Sequence, residues 1–132
     1  DKKNKVIAAV HSGWQGTESK ILLKTLIKLQ KEFSSKPGNM IVYIGPSISQ
    51  INYEVGKEVA EKFDQTFVKP KGDKYLLNVS GINYQILLDF GIPKNQIQKS
   101  ELCSYEFSTL LHSYRRDGNS SGRSLGVIAI KE

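Results

Sequence analysis

The spacing of apolar residues changes at a glycine-containing corner near the start of the chain. Val6–Val10 (VIAAV) is a short, continuous apolar run, which predicts a buried β-strand. After the sequence HSGWQG at residues 11–16, apolar residues recur every three or four positions. That period predicts an amphipathic helix that begins near Thr17, its expected N-cap, and ends at the SSKPGN sequence. A histidine and the only tryptophan therefore fall at a strand-to-helix corner, where we expect the glycines to supply backbone freedom.

Strands and helices alternate through the rest of the chain. Strands are predicted over residues 40–44, 75–79, 97–102 and 124–130, and helices over residues 55–63 and 82–88, the latter closed by Gly91 and Pro93. This alternation predicts a single α+β (α/β layered) domain over residues 1–132, with helices packed on a mixed β-sheet. The opening DKKNK has turn chemistry, and we expect a further strand to precede that turn.

Composition narrows the class of protein. The 132 residues are 39% hydrophobic, which suits one core, and the sequence contains no apolar run of the roughly 18 residues that a membrane span needs. The net charge of +6 comes from scattered lysines, a pattern that argues against a nucleic-acid partner. The single cysteine, Cys103, cannot form an internal disulfide, so we expect a reducing, cytoplasmic location.

His11 is the candidate catalytic residue on position alone. A side chain at the carboxyl end of a buried strand points into the crevice where α/β sheets bind ligands, and Trp14 offers a stacking surface beside it. Arg115, Arg116 and Arg123 form a compact basic group whose forked donors suit a phosphate or carboxylate, although a solvated turn with salt bridges explains them equally well. No histidine or cysteine pair has the spacing of a metal motif.

Four segments, HSGWQG, GPSISQINYEVG, GDKYLLNV and CSYEFSTLLHSYRRDGNSSGR, occur in this order along the chain. Together they resemble the laccase-domain family, also called multicopper polyphenol oxidase-like, purine nucleoside phosphorylase-type or peptidoglycan editing factor-like. HSGWQG resembles the family's HAGWRG, and GPSISQINYEVG resembles its GPxIGxxxYEVG. GDKYLLNV resembles a family strand, and CSYEFSTLLHSYRRDGNSSGR resembles its closing CTxxxxxxFFSYRRxxxxxGR. The similarity extends from about Val6 to the end of the chain.

The resemblance implies a zinc enzyme with the fold of deamidating toxin domains, the metal being held by two histidines and one cysteine. His11 maps onto one ligand, whereas the family's other histidine and its cysteine precede this motif. Cys103 maps onto a different family position. We therefore expect the chain to be the C-terminal portion of a larger laccase-like domain, with its remaining metal ligands upstream and zinc favoured over copper.

Four positions depart from the family pattern. Gln15 replaces an arginine and so removes a fixed charge beside His11, and His112 replaces a phenylalanine. Ser49 stands where the family has glycine, and Asn78 where it usually has aspartate. Loss of the arginine bears on phosphate binding, because glutamine supplies no charge.

The resemblance implies phosphorolysis of adenosine, inosine or guanosine by the full-length protein, with adenosine deamination as a side activity. Trp14 would stack on the base, and Arg115, Arg116 and Arg123 would contact phosphate or the rim of the site. We expect the isolated chain to be inactive, because one imidazole cannot hold zinc. Two alternatives stay open: a cysteine hydrolase or amidase linked to peptidoglycan editing, with His11 as base, and a non-catalytic basic binding module.

Overall fold

The computed structural model describes residues 1–131, in which helices of different lengths are interspersed with short strands. The helices are α1 (Trp14–Glu18), α2 (Ile21–Phe33), α3 (Lys57–Ala60), α4 (Val79–Asp89) and α5 (Tyr114–Asp117). The strands are β1 (Val42–Ile44), β2 (Glu54–Val55), β3 (Val68–Lys71), β4 (Lys74–Leu77) and β5 (Ile97–Lys99). Within the described residues the strands form two sheets, one ordered β1–β5 and the other β2–β4–β3.

The described chain divides into two compact units. The first unit contains residues 1–44, 82–98 and 126–131, and the second contains residues 45–81 and 99–125. Each unit is therefore built from segments that are distant in sequence. His11 and Trp14 belong to the first unit, and the three arginines singled out above belong to the second.

The core of the first unit lies between α2, α4 and β1. Leu26, Met40, Leu87 and Ile92 are buried there, and partly buried apolar side chains from these elements, from Phe90 and from Ile97 of β5 surround them. The predicted apolar face of α2 is confirmed at its centre, where Leu26 is buried, whereas Ile21 and Phe33 at the two ends of the helix are exposed. Burial of such a stripe supplies most of the stability of an amphipathic helix.

The first predicted helix begins earlier than expected and is interrupted. α1 starts at Trp14, with Gly13 as its N-cap, so the prediction that Thr17 caps the helix is wrong. Lys20 adopts the left-handed conformation (φ 58°) and separates α1 from α2, and Ser34 ends α2 in the same conformation. Helical spacing of apolar residues does not reveal such a break, because one residue changes direction without disturbing the pattern on either side.

The second unit is organised by the antiparallel β2–β4–β3 sheet. β3 and β4 form a hairpin in which Lys71 opposes Lys74, and Gly72 occupies the positive-φ position (φ 59°) of the two-residue turn. The buried apolar residues of the second unit are Val55, Ala60, Val68, Leu77 and Cys103. The helix predicted over residues 55–63 is shorter in the structure, because Val55 pairs in β2 and only Lys57–Ala60 is helical.

Both ends of α4 are capped, the first by a side chain and the second by a glycine turn. The Asn78 Oδ1 atom accepts the Gly81 N–H at 2.9 Å, which is an N-cap that asparagine and aspartate provide equally well. At the other end Gly91 has φ 93°, and the Ile92 N–H donates to the Leu87 carbonyl, as the sequence predicts for a glycine-terminated helix. The departure at Asn78 therefore preserves the local structure.

The predicted strands at residues 6–10 and 124–130 are absent from the described structure, and this part of the prediction is wrong. Neither segment has a hydrogen-bonded neighbour strand among residues 1–131, and their side chains remain accessible. Leu125 and Val127 are 89% and 78% exposed, and Ile7 is 43% exposed. An apolar run forms a strand only where another strand satisfies its backbone, and spacing along one segment does not reveal that partner.

The fold class is confirmed at the level of a mixed α/β chain with sheets and helices. Strands at residues 40–44, 75–79 and 97–102 are confirmed with shorter bounds, as β1, β4 and β5. The opening turn is confirmed too, since the Asp1 carboxylate accepts the N–H groups of Lys3 and Asn4. Every helix within residues 1–131 is too short or too polar to cross a bilayer.

Candidate functional site

The His11 corner, defined as residues 11–17, places an exposed imidazole just before α1. His11 is exposed, and its Nε2 atom lies 3.4 Å from where a Cβ on Gly13 would stand. Gly13 itself has φ −68°, so the backbone freedom expected of this glycine is not used. At Gly16 an added Cβ would lie 3.2 Å from the His11 carbonyl and 3.1 Å from Ile21, so the missing side chain permits a close approach.

A network of hydrogen bonds among Ser12, Thr17 and Asn83 restrains the His11 corner on its buried side. The Ser12 hydroxyl donates to Asn83 Oδ1 at 2.9 Å, and Asn83 Nδ2 donates to the Thr17 hydroxyl at 2.9 Å. The two hydroxyls lie 3.1 Å apart, and the Thr17 hydroxyl also reaches the Ser12 carbonyl. Thr17 and Asn83 are buried, so these bonds are costly to break and restrain the backbone that carries His11.

Trp14 is half-buried as the first residue of α1, and Gln15 beside it is exposed. Trp14 therefore keeps part of its surface accessible to solvent, three residues along the chain from His11. This is the arrangement that a stacking role requires, since an indole needs an accessible face to receive a base. Gln15 leaves the corner without a fixed cation at that position.

The described residues do not supply a complete metal site. Within residues 1–131, no three histidine, cysteine, aspartate or glutamate side chains lie together where they could hold one ion. His11 is available as a single donor, whereas a catalytic zinc site uses three protein ligands. The donor set present here thus does not fit the metal by itself.

The arginine turn, defined as residues 113–118, contains two adjacent arginines with opposite environments. The Arg116 guanidinium donates from Nη1 to the Ser104 and Tyr105 carbonyls and from Nη2 to the Leu111 carbonyl. Its Nε and Nη2 atoms also bond both carboxylate oxygens of Asp117 at 2.8 Å. All five N–H donors of Arg116 are therefore committed to the protein, which supports a structural role.

Arg115 is exposed and makes few contacts by comparison. Its guanidinium lies 5.1 Å from the centre of the Tyr53 ring, and Nη1 donates to the Glu54 carbonyl at 2.6 Å. That bond occupies one of five N–H donors, so the group is held in place while keeping donors for a ligand. Burial raises the pKa of the Tyr53 phenol above its ordinary value of 10.0, and the charge and hydrogen bonding of Arg115 partly offset that rise.

Arg123 and His112 are both exposed. Arg123 donates to the Ser121 and Gly122 carbonyls close to it in sequence. The His112 ring occupies the space that a Cβ on Gly122 would fill, so this histidine rests on the glycine backbone. His112 is exposed, and the hydrogen bond from the Arg116 side chain is the main cause that lowers the pKa of the nearby Asp117.

A cavity that sequence reasoning missed adjoins Arg115. It has a volume of about 250 Å³ and is lined by Ile51, Asn52, Glu54, Lys71, Tyr105 and Arg115. Lys71 forms an ion pair of 3.1 Å with Glu54 across the sheet. These residues are far apart in the sequence, so no motif or spacing indicated that they line one cavity. Knowledge of how β2, β3 and β4 pair would have been needed to predict that Lys71 lies near Glu54.

Cys103 is buried and accepts hydrogen bonds at its sulfur. The Ser49 N–H donates to Sγ at 3.3 Å, and the Asn52 amide donates at 3.6 Å. Burial acts to raise the pKa of the Cys103 thiol, yet hydrogen bonds from Ser49, Glu106 and Tyr105 bring it below its ordinary value of 9.0. Ser49, which departs from the family pattern, also accepts the Asn52 amide at its hydroxyl oxygen at 2.9 Å, a bond that glycine could not make.

Comparison with known proteins gives a consistent result. The family model for the multi-copper polyphenol oxidoreductase laccase matches residues 1–131. A purine nucleoside phosphorylase of Bacteroides thetaiotaomicron is 36% identical over 138 residues, covering 98% of this chain and 51% of that protein. One from Clostridium acetobutylicum is also 36% identical, covering 99% of this chain and 56% of its own length.

Solved structures agree with the sequence comparison. A Bacillus licheniformis hypothetical protein YfiH superposes with a TM-score of 0.76 at 30% identity, covering 81% of this chain and 43% of its own. YlmD from Geobacillus stearothermophilus gives a TM-score of 0.76 at 28% identity, covering 86% of this chain and 45% of its own. The chain thus spans about half the length of the curated relatives it matches.

Proposed function

This chain belongs to the multi-copper polyphenol oxidoreductase laccase family, and from that membership we propose that it contributes His11 to an enzyme that cleaves purine nucleosides with phosphate. The observation that carries the proposal is the His11 corner. The backbone that carries its exposed imidazole is held by a buried network, and the half-buried Trp14 follows three residues later. Relatives that match nearly the whole chain are named purine nucleoside phosphorylases.

We also propose that the chain is the C-terminal portion of a larger laccase-like domain. Its relatives are about twice as long, and apolar side chains in residues 6–10 and 125–130 lack cover within the described structure. A second segment that pairs with these runs would bury them and satisfy their backbone groups. The completed domain would then have the mixed sheet and the deamidating-toxin-like fold that the family resemblance implies.

Zinc is the metal that the proposal assigns to the completed site, with His11 as one ligand and two ligands from outside the described residues. When bound, such an ion supplies charge stabilisation to a reacting oxygen. Within this chain His11 would donate one nitrogen lone pair, and Trp14 would stack on the purine. Arg115 and Arg123 are the arginines proposed to meet phosphate, while Arg116 would hold their turn. The deamination side activity would be a separate reaction at the base, in which water attacks C6 of adenosine and ammonia leaves.

The test measures phosphate-dependent release of free base from inosine, adenosine and guanosine. It compares the 132-residue chain alone with the full product of its coding sequence. We expect turnover by the full product and none by the short chain, because one imidazole does not retain zinc. His11→Ala should reduce turnover of the full product by about a hundredfold or more. His112→Ala, which changes the other exposed histidine, is the matched control and should retain most activity.

Two results would overturn the proposal. Turnover by the short chain alone would remove the need for ligands outside it, and full activity of the His11→Ala protein would remove His11 from the site. A cysteine hydrolase would instead act on an amide without releasing base. A basic binding module would show salt-sensitive association with an anionic polymer and indifference to His11→Ala.

A further inference from the structure

We propose that the cavity beside Arg115 is an oxyanion subsite that binds inorganic phosphate through Arg115 and Lys71. The inference rests on the proposed function, which requires phosphate as a reactant, and it assigns that reactant a place in the second unit. Every residue of the cavity lies within that unit. The cavity holds about 250 Å³, several times the volume of roughly 30 Å³ that one water molecule occupies in the liquid.

Arg115 is prepared to receive an oxyanion. Stacking on Tyr53 and the bond to the Glu54 carbonyl fix its guanidinium plane before a ligand arrives. A fixed guanidinium loses less conformational freedom on binding than a mobile one, and its forked N–H pairs match two oxygens of phosphate. Arg116 next to it cannot take this role, because its five donors already bond the protein.

Lys71 supplies the second positive charge. Its Nζ atom lies 3.1 Å from Glu54 Oε2, with both side chains about half exposed to solvent. Exposed ion pairs of this kind are weak, so the ammonium can turn from one carboxylate oxygen to a phosphate dianion at little cost. The lining carries two cations and one carboxylate, which leaves an excess of one positive charge for the ligand.

The character of the lining favours an oxyanion over a base. Its side chains are mainly polar or charged, whereas an aromatic ring is usually received by an apolar slot. Asn52 in the lining donates its amide to Ser49, Cys103 and Glu106, so it shapes the wall and leaves the two cations to bind the ligand.

The binding test uses the 132-residue chain and inorganic phosphate at constant ionic strength set with chloride. Amide and arginine side-chain NMR signals are followed during the titration. We expect saturable shifts at the cavity residues, weakened about tenfold or more by Arg115→Gln and about three- to tenfold by Lys71→Gln. Lys69→Gln changes a neighbouring exposed lysine of β3 outside the lining and should leave binding within about twofold of the unchanged chain.

Folding of each variant is checked by its far-UV circular dichroism and by the spread of its amide signals. Absence of saturable shifts in the unchanged chain would overturn the subsite. Equal weakening by Lys69→Gln and Lys71→Gln would do the same, because it would mean a diffuse effect of net charge. Retention of full affinity in a folded Arg115→Gln chain would contradict the assignment of Arg115.

A kinetic arm separates this proposal from the proposed function. In the full product, Arg115→Gln should raise the KM for phosphate about tenfold and leave the KM for nucleoside unchanged. Phosphate binding with the expected variant pattern, but no release of base by the full product, supports the subsite and contradicts the function. Phosphate-dependent base release that Arg115→Gln does not alter supports the function and contradicts the subsite.

Discussion

The His11 corner and the arginine turn each carry an exposed side chain on a restrained backbone, but different interactions restrain it. In the corner, an exposed imidazole is carried by backbone that a neutral amide and two hydroxyls hold from the buried side. In the turn, the exposed guanidinium is that of Arg115. The neighbouring Arg116 restrains the backbone through hydrogen bonds to three carbonyls and a carboxylate. In both regions the residue free to meet a ligand is a different residue from the one that provides the anchorage.

The difference between the regions lies in charge and accessibility. Thr17 and Asn83 are buried and neutral, so their bonds carry little dependence on pH or salt. Arg116 and Asp117 keep 20% and 31% of their side chains exposed, so water screens part of their attraction. The corner therefore depends on satisfied buried polar groups, and the turn depends on charge-assisted hydrogen bonds.

The largest expected effect comes from removing the anchor of the arginine turn. Arg116→Ala deletes five hydrogen bonds and leaves the Ser104, Tyr105 and Leu111 carbonyls without that donor. We expect the free energy of unfolding to fall by about 3 kcal/mol, measured by urea denaturation at neutral pH. Arg115→Ala is the matched control and should cost less than about 1 kcal/mol, because its side chain is exposed. Equal losses of unfolding free energy for the two variants would contradict the assignment of the stabilising role to Arg116 alone.

A smaller effect is expected from the neutral anchor of the His11 corner. Asn83→Leu keeps a similar volume but removes the amide that joins Ser12 to Thr17. We expect a loss of about 2 kcal/mol in urea denaturation, together with amide NMR shifts across residues 11–17. Gln85→Leu changes an exposed residue of the same helix, bonded to Asp89, and should cost less than about 0.5 kcal/mol. Unmoved signals at the corner in a folded Asn83→Leu chain would refute the positioning role.

The smallest effect concerns acid stability and distinguishes the charged anchor from the neutral one. Hydrogen bonding to Arg116 lowers the pKa of Asp117 below its ordinary value of 3.8. The folded chain therefore binds fewer protons at this carboxyl than the unfolded chain. The contribution of Asp117 to stability is present above pH 3.8, the ordinary pKa, and is lost as the pH falls through the lower pKa of the folded chain.

Urea midpoints at pH 7 and at about pH 3 measure this dependence. Arg116→Gln should show a shallower loss of stability on acidification than the unchanged chain, because its Asp117 titrates nearer the ordinary value. Arg115→Gln is the control and should keep the original dependence, as should Asn83→Leu. A pH dependence in Arg116→Gln as steep as that of the unchanged chain would mean that other carboxyls govern acid unfolding.

The elements predicted best are those whose stabilising contacts are local or repeat along the chain. The face of α2 centred on Leu26 and the closure of α4 at Gly91 followed from spacing and from glycine alone. Family motifs predicted the family and the length relation to known relatives, and the comparisons agree with both. The assignment of His11 to the site stays a prediction. Strands at residues 6–10 and 124–130 failed as predictions, because pairing depends on a partner that the segment's own spacing does not specify.

What the sequence by itself determined is therefore the type of most elements, the family and the candidate histidine. What only the tertiary structure decided is which of two adjacent, chemically identical arginines is available to a ligand, and which lysine stands near it. Arg116 meets carbonyls up to twelve residues away, and Arg115 meets Tyr53 and Glu54 about sixty residues away. A side chain's availability is fixed by such non-local partners, and local periodicity carries no record of them.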